Sequence, residues 1–191
     1  MLDKKTMRNE MLTLLRQMDQ HTYKIRSTAI VRSLMNTDEF KFAKTIAVTM
    51  SNFPEVETRL FIEACWKMDK TIVVPKSDPI HKHMTFYELT TFQNLEVVFA
   101  GIEEPIVARC KEVAVETIDL VIVPGVVFTK KGYRIGFGGG FYDRFLMNYE
   151  GPTIALAFHE QIKGTIIVEE HDRPVQKIVT DLETFNCSEE F

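Results

Sequence analysis

The sequence has few cysteines, no long hydrophobic run and no cluster of basic residues. Its three cysteines, Cys65, Cys110 and Cys187, share no C-x-x-C spacing, which predicts reduced thiols rather than a disulfide or zinc framework. No apolar run approaches the roughly 18 residues that a membrane helix needs, and the first residues lack the apolar core of a signal peptide. The net charge of −4 disfavours nucleic acid as a partner. These absences predict a cytoplasmic protein without a membrane or nucleic-acid partner.

Internal repeats, low-complexity segments and linker-like stretches are also absent. Short apolar runs at 45–50, 71–75, 119–124 and 153–158 have the pattern of buried strands. Amphipathic runs between them predict helices: one capped by Asp3 and ending near Met18, one over 22–35, and one capped by Thr58. We expect one domain over 1–191, built as an α/β, open, mostly parallel three-layer α/β/α sandwich of Rossmann-like type.

The predicted helices assign several apolar side chains to the core. In the first two helices these include Leu14, Ile25, Ala29, Ile30 and Leu34, and in the third Leu60, Phe61, Cys65 and Met68. Residues 101–106 are predicted to be irregular. Since ligands of such sheets bind beyond the carboxyl ends of the strands, the loops after Met50, Pro75, Pro124 and Phe158 should converge. They would gather Glu55, a glycine loop and His159–Glu160 into one cleft.

That glycine loop is the most distinctive stretch of the chain. Of only nine glycines, five lie between Gly132 and Gly140, after one strand-like run and before a helix-like run at 142–148. Glycine permits positive φ and close approach, so a loop between a strand and a helix can present backbone N–H groups to a phosphate. No Gly-Lys-Ser/Thr follows, and G-x-G-x-x-G fails at Phe141, so neither standard phosphate loop is present. Its aromatic residues disfavour the alternative of a mobile surface loop.

Lys4 and Arg8 extend the apolar stripe of the first helix toward its beginning. Like charges four residues apart repel, and a helix N-terminus disfavours cations. A bound anion would remove both problems, but a solvated basic turn is an equal alternative. Ordinary roles are likewise open for Glu55 and Asp143, which could complement helix dipoles, and for His159 and Glu160. His81 and His83 lie two apart in a polar loop, and without a third ligand they indicate a metal only weakly.

Taken together in chain order, the motifs resemble the 5-formyltetrahydrofolate cyclo-ligase family over nearly the whole chain. The most specific motif is Gly-Tyr-Arg-Ile-Gly-Phe-Gly-Gly-Gly-Phe-Tyr-Asp at 132–143. The others are Lys4 to Arg8, Pro-Glu-Val-Glu-Thr at 54–58, Gly-Ile-Glu-Glu-Pro at 101–105, Val-Pro-Gly-Val-Val-Phe at 123–128 and Ala-Leu-Ala-Phe-His-Glu-Gln at 155–161.

The resemblance implies an ATP- and Mg²⁺-dependent ring closure of 5-formyltetrahydrofolate to 5,10-methenyltetrahydrofolate, with release of ADP and phosphate. It assigns catalytic roles to Arg134 and Tyr142, and Mg²⁺ ligation to Asp143 and, through a loose alignment, Asp172. It implies ATP contacts at Lys4, Lys5, Thr6, Met7, Arg8, Arg134, Ile135, Gly136, Phe137, Gly138, Gly139, Gly140, Phe141 and Tyr142. It implies folate contacts at Met50, Glu55, Phe137, Gly138, Gly139, Gly140 and Phe141.

The residue types suit this reaction, which would pass through phosphorylation of the formyl oxygen. Positioning and charge neutralisation dominate phosphoryl transfer, so a nucleophilic cysteine or serine is not required. Two rival functions stay open from the residues themselves: another ATP-dependent small-molecule enzyme of the same architecture, and a non-catalytic domain that binds a phosphorylated metabolite. We expect small-molecule substrates and a monomer or weak dimer.

Overall fold

The structure is a computed structural model that describes residues 2–187, so the predicted domain 1–191 extends slightly beyond the described residues. Its α-helices are α1 (Lys4–Leu15), α2 (Gln20–Met35), α3 (Asp38–Phe42), α4 (Arg59–Lys67) and α5 (Phe141–Leu146). Its first strands are β1 (Thr45–Ala47), β2 (Thr71–Asp78), β3 (His83–Glu88), β4 (Leu95–Val97), β5 (Glu103–Pro105), β6 (Glu112–Val113) and β7 (Leu120–Ile122). The later strands are β8 (Val127–Thr129), β9 (Arg134–Ile135), β10 (Thr153–Ala157), β11 (Ile162–Lys163), β12 (Lys177–Thr180) and β13 (Thr184–Asn186).

An eight-stranded sheet in the order β13-β12-β10-β7-β1-β2-β3-β6 forms the centre of the fold. The five strands from β12 to β2 are parallel, while β13, β3 and β6 join the edges antiparallel. β8 pairs with β11 and β9 in a smaller sheet, and β4 pairs with β5. The predicted mostly parallel α/β fold is therefore confirmed. Among residues 2–187, no helix combines the length and the apolar character needed to cross a bilayer.

Successive side chains of each strand point to opposite faces of the sheet, so the core consists of two apolar layers, as expected for a sheet covered on both faces. Ile46 and Leu120 pack in the layer that contains the buried faces of α1 to α4. Their neighbours Ala47 and Val121 belong to the opposite layer, which includes Leu146 of α5. The sheet is thus covered by four helices on one face and by one short helix and loops on the other.

Asp3 and Asp19 determine where the first two helices begin. The Asp3 carboxylate accepts hydrogen bonds from the N–H groups of Lys5 and Thr6, and Asp19 caps α2 in the same way. The cap predicted at Asp3 is confirmed, but α1 ends at Leu15 rather than near Met18. α2 starts at Gln20, two residues earlier than expected, because its cap at Asp19 had not been recognised.

Several predicted core positions are instead exposed: Leu14, Ile25, Leu60 and Met68. The buried face of α2 contains Tyr23 and Ser27 in addition to its aliphatic residues. Tertiary hydrogen bonds make this burial possible, since the Tyr23 hydroxyl donates to the Glu55 carbonyl and Ser27 Oγ accepts from the Glu57 N–H. Hydrophobic spacing alone therefore identified part of this face, including Ile30 and Leu34, but wrongly placed Ile25 on it.

Two further local predictions are wrong. Thr58 occupies the position before α4 but makes no capping bond, because its hydroxyl donates to the Thr49 carbonyl and accepts from the Ser51 N–H.

The stretch 101–106 is not irregular throughout, since β5 pairs with β4. Lys76 of β2 contacts Glu96 at 2.8 Å and Glu104 at 3.4 Å, which attaches this small ribbon to the main sheet.

Gly132 forms the turn between β8 and β9 and is the first glycine of the loop. Its φ is +85°, its N–H donates to the Thr129 carbonyl, and its carbonyl accepts from the Val175 N–H. An added Cβ would lie 2.2 Å from the Val175 carbonyl oxygen. Gly132 is therefore required for packing against the C-terminal segment, independently of any phosphate.

We expect Gly132→Ala to lower the free energy of unfolding by at least about 2 kcal/mol, because it combines positive φ with a backbone clash. Urea denaturation of the two purified proteins measures this loss. Gly164→Ala is the matched control, since φ is not positive there and a Cβ would meet nothing within 4 Å. Equal stability of Gly132→Ala and the wild type would contradict the packing role.

Candidate active site

A small cleft lies at the carboxyl edge of the parallel strands. The loop after β1 contributes Glu55, the segment after β7 contributes Gly125, and the turn after β10 contributes Gln161. Leu12 of α1 and Phe137 of the glycine loop complete the lining, together with Leu15, Pro54, Val56 and Val126. The predicted convergence of Glu55 and the glycine loop is confirmed.

His159 and Glu160 do not line this cleft. The Glu160 carboxylate instead forms a two-point ion pair with the Arg26 guanidinium, which also contacts Asp181 at 2.6 Å. Gln161 is the residue of this turn that reaches the cleft. Its side-chain oxygen accepts from the Phe158 N–H at 2.7 Å, and its amide nitrogen donates to the Val126 carbonyl at 3.0 Å.

Glu55 is positioned by its own turn. One carboxylate oxygen accepts from the Asn52 N–H at 3.0 Å, and the Asn52 carbonyl accepts from the Glu55 N–H at 2.9 Å. Burial raises the pKa of Glu55 to about 7, although the Asn52 hydrogen bond works in the opposite direction. The carboxylate thus accepts a hydrogen bond from its own turn, and burial leaves it in need of an additional donor to be fully ionised.

The other proposed folate contacts lie around Glu55 at different depths. Met50 is buried in the core layer below the loop. Phe137 is half exposed and lines the cleft, which places an aromatic face beside the carboxylate. Gly138 and Gly139 follow it on the protein surface, and Phe141 begins α5.

Arg8 joins α1 to the glycine loop. Its Nε donates to the Gly136 carbonyl at 2.7 Å, and its guanidinium lies 3.6 Å from where a Cβ of Gly138 would be. Gly138 and Gly140 have φ values of +101° and +68°, so the loop uses backbone conformations that favour glycine. The basic helix and the glycine loop predicted to bind a phosphate together are in contact.

Lys4 forms the second charged contact of α1, with the C-terminal segment. Its ammonium lies 2.7 Å from Asp172 and 2.6 Å from Glu169. Partial burial opposes the charge of Lys4, but these hydrogen bonds outweigh it and raise its pKa. Burial likewise opposes ionisation of Asp172, which is only 7% exposed, yet the Lys4 hydrogen bond lowers its pKa. Lys4 is therefore not freely solvated, and two carboxylates of the protein already balance its charge.

Arg134 is buried beneath the loop, with a side chain only 3% exposed. Its guanidinium donates to the Asp143 carboxylate and to the Arg173 carbonyl, both at 2.7 Å. Burial lowers the pKa of Arg134, against the effect of Asp143 and the weaker effect of Asp172. The two carboxylates predicted to bind metal thus lie around one guanidinium, and Asp143 does more than complement the helix start.

The Tyr142 hydroxyl is buried and has no hydrogen-bond partner among the described residues. Burial raises the pKa of Tyr142, the Arg134 charge lowers it, and the Glu55 charge raises it. Tyr142 is therefore close enough to both groups to sense their charges. A buried hydroxyl without a partner is costly unless a ligand or water supplies one.

The remaining predicted ATP contacts are not equivalent. Lys5 is exposed, the Thr6 hydroxyl donates to Asp3 at 2.7 Å, and Met7 packs partly buried against the core. Ile135 is buried within β9. From this stretch, the Lys4 and Arg8 side chains are the ones that extend to the loop or the C-terminal segment, so the other positions could contact a nucleotide mainly through backbone.

Sequence reasoning missed three residues that build the site: Tyr23, Gln161 and Glu169. Tyr23 holds the backbone of Glu55 from α2 and meets Phe53 edge-on at 5.2 Å. Glu169 shares the Lys4 ammonium with Asp172. Gln161 stands within the 155–161 motif, whereas Glu169 belongs to none of the motifs, and only their tertiary contacts distinguish both from neighbouring polar residues.

These features define an α/β protein in which a basic helix and a glycine loop meet beside a small cleft at the carboxyl edge of the sheet. The 5-formyltetrahydrofolate cyclo-ligase family model matches residues 1–181. The chain is 29% identical over 187 residues to the 5-formyltetrahydrofolate cyclo-ligase of Mus musculus, covering 92% of each. It is 30% identical over 155 residues to that of Haemophilus influenzae, covering 79% of this chain and 83% of the relative.

Solved structures agree with this assignment. The chain resembles 5,10-methenyltetrahydrofolate synthetase of Aquifex aeolicus with a TM-score of 0.86 and 26% identity, covering 98% of this chain and 94% of the other. The synthetase of Mycoplasma pneumoniae, 23% identical with a TM-score of 0.77, covering 94% and 99%, supports the fold. The chain belongs to the 5-formyltetrahydrofolate cyclo-ligase family. It is an ATP-dependent ligase of folate one-carbon metabolism.

The raised pKa of Glu55 predicts a pH dependence of stability. In the unfolded chain this carboxyl ionises near 4.5, whereas the folded protein retains the proton until about pH 7. Because the unfolded state loses its proton first, stability falls as the pH rises through this interval, by roughly 3 kcal/mol in total. Urea denaturation across that interval should show a flatter profile for Glu55→Gln. An equally steep fall in the variant would assign the effect to another group.

Proposed function

We propose that this chain closes the folate ring by phosphorylating the formyl oxygen of 5-formyltetrahydrofolate with ATP. The observation that carries the proposal is the contact of Arg8 with the glycine loop beside the cleft that contains Glu55 and Phe137. A phosphate-binding loop and a carboxylate suited to a folate head are thereby neighbours. The family match supports this reading over both a different ATP-dependent enzyme and a non-catalytic phosphometabolite-binding domain.

The bonds made and broken balance without an additional reactant. The formyl oxygen attacks the γ-phosphorus, the bond to the β,γ-bridging oxygen breaks, and ADP leaves. Nitrogen 10 of the same folate then attacks the activated carbon and loses its proton. Finally the carbon–oxygen bond breaks, phosphate leaves, and the 5,10-methenyl bridge remains. The protein mainly has to align the formyl oxygen with the γ-phosphate and stabilise the negative charge.

The nucleotide contacts are assigned to the first turn of α1 and the run 134–142. The cationic groups of Lys4 and Arg8 can neutralise phosphate oxygens, and the loop from Gly136 to Gly140 can donate backbone N–H groups. The buried charge of Arg134 lies directly under this loop, where low solvent exposure strengthens its effect. We assign Arg134 and Tyr142 the catalytic roles, since the unpartnered Tyr142 hydroxyl can donate to a phosphate or formyl oxygen.

Magnesium is the metal we propose to accompany ATP, held by Asp143 and Asp172. The donor set fits, because Mg²⁺ prefers carboxylate oxygens. Asp143 accepts directly from the Arg134 guanidinium, and Asp172 precedes Arg173, whose carbonyl accepts from the same group. Bound there, the ion would neutralise charge on the phosphates. In the described structure Arg134 and Lys4 neutralise these carboxylates. We therefore expect turnover to depend on added Mg²⁺.

The folate is assigned to Met50, Glu55 and the loop residues 137–141. A folate head presents adjacent N–H donors on its amino-pyrimidinone edge, which one carboxylate can accept side by side. Such donors would supply what Glu55 lacks, since the Asn52 N–H is its single hydrogen-bond donor among residues 2–187. Phe137 offers a ring face next to it, while Met50 shapes the apolar floor.

We further propose one catalytic domain over 1–191 that acts in the cytoplasm as a monomer or weak dimer, on small molecules and without nucleic acid. The three cysteines support a reducing compartment, because Cys65, Cys110 and Cys187 are free. Size-exclusion chromatography with light scattering across a range of protein concentrations tests the oligomeric state. A stable higher oligomer would reject that part of the proposal.

One assay tests the central reaction. Purified protein with ATP, Mg²⁺ and 5-formyltetrahydrofolate should form the methenyl product, and omission of ATP or addition of a chelator should stop it. Substrate labelled with heavy oxygen in the formyl group should transfer that label to the released phosphate. Product formation without label transfer would reject the phosphorylation step. Absence of product from folded protein would reject the function.

Removing Arg8 should weaken ATP binding specifically. We expect Arg8→Ala to raise the KM for ATP about ten- to a hundredfold, because a charge-assisted hydrogen bond contributes roughly 1.5–3 kcal/mol. Arg8 is a cleaner test than Lys4, whose removal would leave the nearly buried Asp172 unpaired. Arg16→Ala, at the exposed far end of the same helix, is the control. An unchanged KM for ATP in Arg8→Ala would restrict Arg8 to supporting the loop.

Glu55→Gln should impair folate binding rather than ATP binding. Glutamine retains the shape but replaces one acceptor oxygen with a donor, at an expected loss of about 1–3 kcal/mol. The KM for 5-formyltetrahydrofolate should therefore rise about five- to a hundredfold, while the KM for ATP changes little. Steady-state kinetics with each substrate varied in turn measures both values. Glu57→Gln is the matched control, and a larger folate effect in that variant would transfer the assignment to Glu57.

A further inference from the structure

The turn between β2 and β3 brings together three potential metal ligands that lie outside the catalytic cleft. The sequence shows His81 and His83 two residues apart, and the structure adds Asp78 from the end of β2. One ligand atom from each of the three side chains lies within 4.8 Å of the other two. The third ligand that the sequence did not reveal is therefore present.

The Asp78 carboxylate is held so that one oxygen faces both histidines. Its Oδ1 accepts hydrogen bonds from the N–H groups of Ile80 and His81, at 2.8 and 3.0 Å. Its Oδ2 lies 2.7 Å from His81 Nδ1 and 3.9 Å from His83 Nδ1. Backbone N–H groups thus fix the orientation of this carboxylate. Metal ligands are usually oriented by a second hydrogen-bonding contact of this kind.

We propose that Asp78, His81 and His83 form a binding site for a zinc-type divalent transition metal. Two imidazole nitrogens and one carboxylate oxygen are donors that Zn²⁺ accepts at about 2.0–2.2 Å, with a fourth position left for water. Such nitrogen-rich donor sets favour zinc, copper or nickel over Mg²⁺ and Ca²⁺, which prefer oxygen. The site is therefore distinct in its chemistry from the magnesium site proposed beside ATP.

The second three-ligand cluster in the described residues differs from this turn. Glu169, His171 and Asp172 also bring ligand atoms within 4.8 Å of one another. However, Asp172 is already assigned to the magnesium site, and the Lys4 ammonium contacts both carboxylates, so this cluster is not an independent site. Among residues 2–187, Asp78 has no lysine or arginine in ion-pair contact. Lys82, which lies between the two histidines in sequence, extends over the Phe141 ring at 5.8 Å from its centroid.

Isothermal titration calorimetry of the full, tag-free chain tests the site. Chelator-treated protein is titrated with Zn²⁺ alone, without ATP, Mg²⁺ or folate. We expect one saturable site per chain and a rise in the thermal midpoint on Zn²⁺ addition. His81→Gln and His83→Gln should each weaken binding roughly tenfold or more, since removal of even an outer contact costs ten- to a hundredfold.

His171→Gln is the matched control and should retain wild-type Zn²⁺ affinity. Asp78→Asn serves as an additional variant, in which the amide keeps the shape but loses a carboxylate ligand, and it should also bind more weakly. Circular dichroism confirms that each variant is folded. Absence of saturable binding in the wild type, or equal affinity of the wild type and the His81→Gln, His83→Gln double variant, would overturn the proposal.

Discussion

The geometry of the site depends on the hydrogen bonds and the ion pair made by the buried guanidinium of Arg134. It comes from β9 and donates both to the Asp143 carboxylate of α5 and to the Arg173 carbonyl of the C-terminal segment. A charge with only 3% of its side chain exposed is tolerated only when its donors are satisfied. The glycine loop between β9 and α5 is therefore anchored at both ends by one ion pair.

A second charged contact extends this arrangement to the start of the chain. Lys4 joins α1 to Asp172 and Glu169, while Arg8 of the same helix face binds the Gly136 carbonyl. Charge-assisted hydrogen bonds thus join the first helix, the loop and the C-terminal segment, in addition to the apolar packing of Met11, Leu15 and Ile166. Such contacts can exchange partners when phosphates arrive, which suits a nucleotide site better than a rigid hydrophobic contact would.

The part of the cleft that we propose to bind folate has the opposite character. Glu55 sits on a turn supported by Tyr23, and its desolvation raises the pKa of its carboxyl to about 7. A buried carboxylate with few hydrogen-bond donors is stabilised in its charged form by a ligand that supplies such donors. Tyr142, with its unpartnered buried hydroxyl, senses the charges of Glu55 and Arg134 and so connects the two halves of the site.

Local sequence determined the parallel strands, the Asp3 cap and the glycine loop, because alternation, capping and positive φ are properties of short segments. The family motifs likewise pointed to Glu55, Arg134 and Asp143. Tertiary structure alone decided that Tyr23 and Ser27 face the core in place of Ile25, and that Gln161 rather than Glu160 reaches the cleft. It also decided that Asp78 joins His81 and His83. For Tyr23, Ser27 and Gln161 the deciding contact joins segments that are distant in sequence, so spacing along the chain does not predict it, and for Asp78 it depends on the conformation of the turn between β2 and β3.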